Sequence, residues 1–176
     1  TLAPPETPGP LRLHAPGADE DVVLEGLPSM ASILQLGRKF SRHRAELTPH
    51  LAASIVEATY ALALHKRTGR LVKLTQPELV SIMQAVHRLI HMEPARGQGL
   101  DVHQQLLVGY AFVKLQQRRM FHELLPSLQK ALSAGFDDLS PHEHAKLAWM
   151  MARTSAHEHP LFSDIARRAL DHSLPR

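Results

Sequence analysis

Four times along the chain, a leucine precedes a helix-capping residue and then a stretch of apolar residues at helical spacing. The four segments begin at Leu47-Thr48, Leu74-Thr75, Leu100-Asp101 and Leu139-Ser140. Eight positions after each leucine stand Ile55, Ile82, Val108 and Leu147, and eleven positions after it stand Ala58, Ala85, Ala111 and Met150. An amphipathic unit that recurs in this way is typical of helical repeat proteins and predicts a solenoid rather than a catalytic core.

The same pattern predicts where the helices begin and end. Threonine, aspartate and serine are preferred N-cap residues, and proline is tolerated in the first turn of a helix. We therefore expect helices to begin at Thr48, Thr75, Asp101 and Ser140, with prolines at 49, 77 and 141 in their first turns. Apolar residues at helical spacing predict three more helices, over 28–44, 121–134 and 160–173. The predicted fold is all-α, with antiparallel helical hairpins stacked as a short α-solenoid.

Composition agrees with this fold and divides the chain into two parts. Of the 176 residues, 44% are hydrophobic but only 5% are aromatic, so alanine and leucine fill the predicted core, as in helix-on-helix packing. Residues 1–26 contain five prolines and an acidic cluster, a composition that cannot bury a core of its own. We expect 1–26 to be an extended arm held by a partner surface, and 27–176 to be the α-helical repeat domain.

Charge and motifs narrow the range of functions. The formal net charge is +3 and the pI is about 9.5, a mild basic bias that suits nucleic acid without requiring it. Because cysteine is absent, disulfides, thiolate catalysis and cysteine zinc fingers are excluded. No apolar run is long enough to span a bilayer. Neither a glycine-rich phosphate loop nor a Gly-x-Ser-x-Gly motif occurs, so we expect no enzyme activity, no catalytic residues and no cofactor.

The last repeat unit carries a resemblance to a known family. It reads Leu-Ala-Trp in one predicted helix and Leu-Phe-x-x-Ile-Ala in the next, and the matching residues are Leu147, Ala148, Trp149, Ala152, Leu161, Phe162, Ile165 and Ala166. This unit resembles the α-hairpin repeats of the octotricopeptide and heptatricopeptide type, found in organellar RAP-domain and FAST-kinase-like proteins. The resemblance covers the chain from about residue 100 onward and implies a mitochondrial matrix protein that binds RNA or belongs to a divergent mitochondrial ribosome. A RAP domain and the octotricopeptide Pro-Pro-Tyr-Glu-Trp signature are not seen in the sequence, and the repeats are too few for a one-base-per-repeat code.

Basic residues supply the candidate RNA contacts. Position +14 after the repeat leucines holds Ala61, Arg88, Lys114 and Arg153, so stacked repeats would align three cations for contact with successive phosphates. The alternative is a solvated helix face, where Lys and Arg interact with the negative end of the helix dipole. Together with flanking basic residues, the predicted RNA-binding set is Arg38, Arg42, Arg88, Lys114, Arg118, Arg119 and Arg153.

Histidines and aromatic residues suggest a metal site and a base-stacking site, neither of which the sequence favours. His87 and His91 are four apart on a predicted helix and could chelate one ion, but no convergent third ligand is apparent, so we expect no metal site. Tyr110 and Trp149 share repeat position +10 and could stack on bases, but a large aromatic at a fixed position is more often a packing residue. We expect both rings to lie in the core.

These observations lead to one functional hypothesis and two alternatives. We expect a structural, RNA-contacting component of a mitochondrial ribonucleoprotein, specifically a divergent mitochondrial ribosome, with organellar RNA and neighbouring proteins as its partners. One alternative is a protein-binding accessory subunit of a respiratory or ATP-synthase complex, in which the basic residues contact protein or lipid headgroups. The other is a free organellar RNA-stability factor.

Overall fold

A computed structural model of the chain describes residues 27–42, 47–67, 69, 71–92 and 99–173. Over these ranges the protein is all-α, as predicted, and contains no strand. The helices are α1 Met30–Arg42, α2 Pro49–Arg67, α3 Pro77–Ile90, α4 Val102–Lys114, α5 Arg118–Gly135, α6 Pro141–Arg153 and α7 Pro160–Ser173, with a short 3-10 helix, Ala156–Glu158, before α7. The arm expected at 1–26 lies outside the described residues.

Two of the predicted helix starts are closed by reciprocal capping boxes. The Asp101 side chain accepts from the Gln104 backbone N–H at 2.8 Å, and the Gln104 side chain accepts from the Asp101 N–H at 3.1 Å. Ser140 and Glu143 make the same exchange at the start of α6. These bonds satisfy backbone donors that the helix leaves free, so the predictions of α4 and α6 from their first residues are confirmed.

The start of α3 differs from the prediction by one residue. Its N-cap is Gln76, which makes no side-chain capping bond, and not Thr75. Pro77 occupies the first helical position, and the residue before a proline is pushed into extended backbone. Gln76 has the corresponding angles, with φ at −65° and ψ at 135°. The proline therefore fixes the start of α3 and overrides the capping preference of threonine.

The predicted boundaries of α1 and α5 need small corrections. Ser29 caps α1 by accepting from the Ser32 N–H at 3.2 Å, so Pro28 lies before the helix and not in its first turn. The described part of α1 ends at Arg42, and the predicted residues 43 and 44 lie outside the described ranges. Helix α5 begins at Arg118, three residues before the predicted position, whereas α7 spans the predicted range 160–173.

The helices pack in two groups around one apolar core. Helices α2, α4 and α6 lie side by side in one row, because α4 packs against both α2 and α6. On the other side, α1 packs closely against α3, and α5 packs against α4. Fully buried side chains between the two groups include Phe112, Leu62 and Leu128. We refer to α2, α4 and α6 as the row and to α1, α3 and α5 as the opposite group.

This arrangement changes the meaning of the sequence repeat. The segments that begin at Leu47, Leu100 and Leu139 lead into the three neighbouring helices of the row. The segment that begins at Leu74 leads into α3, which lies in the opposite group against α1. Helix α2 also has 19 residues where α4 and α6 have 13 each. Positions counted from the leucines are therefore equivalent in α4 and α6 but not in α2 or α3.

A glycine allows the closest approach in the opposite group. Gly37 on α1 lies against the backbone of Glu78 at the start of α3, and a Cβ at this position would overlap the Glu78 carbonyl group, 2.7 Å from its carbon. Real Cβ atoms essentially never lie this close to backbone atoms. The glycine therefore sets the distance between α1 and α3.

No helix in the described part of the chain is both long and apolar enough to cross a membrane.

Candidate functional site

Three aromatic rings cross the row, one from each helix. Tyr60 on α2 lies 5.8 Å from Tyr110 on α4, and Tyr110 lies 5.5 Å from Trp149 on α6, measured between ring centroids. Both pairs are tilted, at 50° and 42°. These distances and angles are those of favourable aromatic contacts, so the rings form a continuous line over three helices.

The exposure of the rings confirms one prediction and corrects another. Tyr110 is only 6% exposed and is a core residue, as expected from its repeat position. Trp149 at the equivalent position is 36% exposed, so its prediction as a core residue is wrong. Tyr110 is covered by α2 and α6 on its two sides, whereas α6 is the last helix of the row. The same position is therefore buried in the middle of the row and open at its end.

Two lysines lie over these rings. The Lys114 Nζ atom is 4.6 Å from the centroid of Trp149 and 5.3 Å from that of Tyr110. The Lys146 Nζ atom is 5.3 Å from Tyr110 and 5.5 Å from Tyr60. Both ammonium groups are within the range of cation–π attraction, which holds them at the aromatic surface.

The C-terminal ends of the row helices collect further positive charge. Each helix ends in a basic residue, Arg67 in α2, Lys114 in α4 and Arg153 in α6. A cation at this position interacts favourably with the helix dipole, which explains why one is tolerated at each end. We call the combined surface the basic–aromatic face, and its residues are Tyr60, Arg67, Tyr110, Lys114, Lys146, Trp149 and Arg153.

The pKa values on this face report burial and like-charge crowding. Burial lowers the pKa of Lys114, and the neighbouring charges of Arg67 and Arg153 lower it further. Burial also lowers the pKa of Lys146, against the opposing effect of Glu143. Among the residues that the structure describes, no carboxylate lies within salt-bridge distance of Lys114 or Arg153. Lys114 therefore experiences like-charge repulsion from Arg67 and Arg153 without a salt-bridge partner of its own in the described ranges.

Two cavities open at this face and share Lys114 and Trp149 in their walls. One has a volume of about 380 Å³ and is also lined by Arg67, Tyr110 and His142. The other has a volume of about 500 Å³ and is also lined by Arg118 and Arg153. Both volumes lie in the range of small-ligand sites. The exposed part of Trp149 thus stands between two cavities whose walls carry positive charge.

The structure brings three of the predicted RNA-binding residues together and leaves others apart. Lys114, Arg118 and Arg153 line one cavity. Arg38 instead lies on α1 and pairs with Glu78 at 3.2 Å, and Arg119 on α5 pairs with Glu123 at 3.0 Å. The side chain of Arg42 lies outside the described residues.

The predicted +14 ladder is not a single line of cations. Arg88 is exposed on α3, in the opposite group from Lys114 and Arg153. The remaining ladder position, Ala61, is fully buried. Because α2 is six residues longer than α4 or α6, by 19 to 13, its equivalent basic residue is Arg67 at the helix end.

Sequence reasoning missed Lys146 and Tyr60, although one signal was available. Lys146 precedes Trp149 by three residues, and Lys114 follows Tyr110 by four, both within α-helices. Residues three or four apart are neighbours on a helix surface, so this spacing places each lysine on the same side of its helix as the aromatic residue. The rings beneath Lys146 are nevertheless Tyr110 and Tyr60, from the other two helices of the row. The contacts between helices depend on the alignment of α2 with α4, which the repeat spacing did not give.

The histidine prediction also changes in three dimensions. His87 in the last turn of α3 and His91, the C-cap residue of that helix, have ring centroids 4.5 Å apart. Glu123 on α5 approaches them, and its Oε2 atom lies 3.1 Å from His87 Nε2. A third side chain of a metal-ligating type, which the sequence spacing did not reveal, therefore lies beside the two histidines.

Comparisons with known proteins give no relative. No protein-family model, no curated protein and no solved structure matches this chain. The class of molecule is therefore defined by its own features, an all-α protein with a basic–aromatic face along one row of helices.

Proposed function

We propose that the protein is a structural, RNA-contacting component of a mitochondrial ribonucleoprotein, specifically a divergent mitochondrial ribosome. The observation that carries the proposal is the basic–aromatic face, where a line of three rings meets clustered cations. Proteins that bind single-stranded nucleic acid combine these two elements, because cations attract the phosphates and aromatic rings stack on bases. The mitochondrial setting is supported by the resemblance of residues 139–166 to organellar repeats.

The charge arrangement favours a polyanion over a neutral partner. The charges of Arg67 and Arg153 lie close enough to Lys114 to lower its pKa, after the larger effect of burial. Mutual repulsion of this kind opposes folding and is relieved when phosphates enter the surface. The helix dipole explains one cation at the C-terminal end of each row helix. It does not explain Lys146 or Arg118, which are not at these helix ends.

The size of the face predicts contact with a short, unpaired stretch of RNA and little choice of sequence. Tyr60 and Tyr110 are largely covered, so Trp149 offers the main exposed ring. Stacking tolerates any base, so a stacked ring adds affinity without a preference for sequence. We therefore expect binding through charge and one or two stacked bases, which suits a component that fixes ribosomal RNA in place.

The salt dependence of RNA binding tests the proposal. Four cations on the face, each contacting one phosphate, give an expected slope of roughly −3 for log K against log salt, at about −0.7 per contact on a single strand. The double variant Lys114→Ala/Arg153→Ala removes two contacts, so the slope falls by about 1.4 and binding weakens roughly 25-fold at 0.1 M salt. Fluorescence anisotropy with a labelled, unstructured RNA of mixed sequence measures both quantities.

A matched control separates the face from general positive charge. The variant Lys39→Ala/Arg88→Ala removes two exposed cations of the opposite group and the same net charge. We expect its slope and affinity to stay within twofold of the parent chain. Equal losses in the two double variants would contradict the proposed face. An RNA-free native particle that contains the chain and survives nuclease treatment would contradict RNA contact and favour the accessory-subunit alternative.

A further inference from the structure

A cluster of three ligand-type side chains lies on the opposite group, away from the basic–aromatic face. His87 lies in the last turn of α3, His91 is the C-cap residue directly after that helix, and Glu123 comes from α5. One ligand atom of each residue lies within 4.8 Å of the ligand atoms of the other two. The histidines are exposed and Glu123 is half-buried, so the cluster is open to solvent on one side.

The distances suit a small divalent cation. Two ligands of a tetrahedral Zn²⁺ ion at about 2.0–2.1 Å from the metal stand roughly 3.3 Å from each other. His87 Nε2 and Glu123 Oε2 are already 3.1 Å apart. The exposed histidine side chains can rotate to complete the site, and the open side leaves the fourth position to water. Two imidazoles and one carboxylate form a donor set that zinc accepts in proteins.

A neighbouring arginine orients the carboxylate. Arg119 donates from Nε to Glu123 Oε1 at 3.0 Å, while the other oxygen, Oε2, faces His87. A metal ion that binds Oε2 therefore leaves the arginine contact intact. Hydrogen bonds of this kind to the ligand's second oxygen hold a metal-binding carboxylate in position.

We propose that His87, His91 and Glu123 form a Zn²⁺ site that joins α3 to α5. Helices α3 and α5 otherwise contact each other sparingly, whereas α1 with α3 and α4 with α5 pack extensively. An ion held by residues of both elements adds a cross-link where the helices pack sparsely. The role is structural, it does not depend on RNA binding, and it involves the part of the molecule that holds the row in place.

Titration of the metal-stripped full chain with Zn²⁺ by calorimetry tests the site. We expect one ion per chain at the tightest site, and at least tenfold weaker binding in His87→Gln and in Glu123→Gln. His122→Gln is the matched control, because His122 is exposed and adjacent to Glu123 in sequence but not in the cluster. This variant should bind as the parent chain does.

A thermal measurement gives an independent readout. At a Zn²⁺ concentration about one hundred times Kd, the Tm of the parent chain should rise by about 5 °C or more, and chelator should reverse the rise. His87→Gln and His122→Gln should share the parent Tm in chelator, because both histidine side chains are exposed and contribute little packing. Arg119→Ala should weaken binding about tenfold without changing its stoichiometry.

Three results would overturn the proposal. These are a parent chain without a tight Zn²⁺ site, a His87→Gln variant with unchanged affinity, and a loss in His122→Gln equal to that in His87→Gln. The last result would assign the binding to scattered histidines instead of the cluster. None of them bears on RNA binding, so the two proposals fail separately.

Discussion

Positive side chains have different neighbours at the two sides of the molecule. In the opposite group, Arg38 and Arg119 each meet a carboxylate on a nearby turn or helix, Glu78 and Glu123 respectively. At the C-terminal end of the row, Lys114 and Arg153 have no such partner among the described residues and lie close to each other and to aromatic rings. Paired charges of the first kind are internal to the protein. A group of like charges without an internal anion is a surface prepared for an external one.

The largest expected effect comes from separating the opposite group. Gly37→Leu places a side chain where α1 meets the Glu78 backbone, and backbone cannot yield as a side chain does. We expect a loss of about 3 kcal/mol in the free energy of unfolding, which lowers the Tm by roughly 6–12 °C for a chain of this size. Thermal denaturation followed by circular dichroism measures it.

The control for this variant lies two residues away. Gln35→Leu adds the same side chain at an exposed position of α1 and should change the Tm by less than about 2 °C. RNA affinity well below the melting range should be unchanged in Gly37→Leu, because the basic–aromatic face belongs to the row. If Gly37→Leu lost RNA affinity while still folded, RNA binding would not be confined to the row, which contradicts the proposed difference between the two sides.

The second prediction concerns the exposed ring at the end of the row. Trp149→Ala removes the main stacking surface and should weaken RNA binding by about 2 kcal/mol, or roughly 30-fold, since a stacked base contributes about 1–3 kcal/mol. Trp149→Phe should recover most of the affinity. Because Trp149 is the only tryptophan of the chain, its fluorescence in the parent protein reports the same event. If Trp149→Ala and the parent chain bind RNA with equal affinity, the ring makes no contribution and only the charges of the face do.

The third prediction compares helix starts on the two sides. Ser140→Ala removes the capping box of α6 in the row and should cost about 1 kcal/mol. In the opposite group α3 begins at Gln76 with no side-chain cap, in suitable extended backbone, so Gln76→Ser should add up to about 1 kcal/mol. Urea denaturation of both variants measures the two changes. If the two variants changed the free energy of unfolding in the same direction, side-chain capping would not explain the stability of these helices.

The smallest expected effect is a pH-dependent one. His103 on α4 hydrogen-bonds Glu143 on α6 at 2.6 Å. This bond raises the pKa of His103 from 6.5, against the effect of burial. For Glu143, burial alone would raise the pKa, but the bonds from His103 and Ser140 outweigh it and lower the pKa from 4.5 to about 2. The pair therefore stabilises the fold most strongly between these two titrations, at mildly acidic pH.

The sign of this effect follows from the two shifts. The His103 contribution is complete below pH 6.5 and is lost as the pH rises through its raised pKa, and the Glu143 contribution is complete above pH 4.5 and is lost as the pH falls toward about 2. His103→Gln should cost at most about 0.5 kcal/mol at pH 5.5 and nothing at pH 9, because the pair is exposed. Arg38→Gln should show no difference between these two pH values. Urea denaturation at both gives the comparison.

Local features of the fold were readable from the sequence. The helix starts at Asp101 and Ser140 and the range of α7 depend on residues within a few positions, and these predictions are confirmed. Helix α3 starts one residue later than predicted, because the restriction that Pro77 places on Gln76 outweighs the capping preference of Thr75.

The candidate sites depended on information that the sequence spacing does not contain. The extra length of α2 moves its terminal cation to Arg67, so counting from Leu47 led to a buried alanine. Glu123 reaches His87 only because α5 packs beside α3. Trp149 and Tyr110 have equivalent positions, and only the end of the row distinguishes their exposure.

The lysine over Trp149 has a consequence for the protein when it is alone. Lys114 lies 4.6 Å from the indole centroid and so occupies space that an incoming base needs. In the proposed RNA complex, association would then be an exchange, in which a base displaces the ammonium group and the released lysine turns toward the adjacent phosphate. In the free chain, the cation covers an apolar ring that is otherwise exposed, which opposes self-association through the surface proposed to bind RNA.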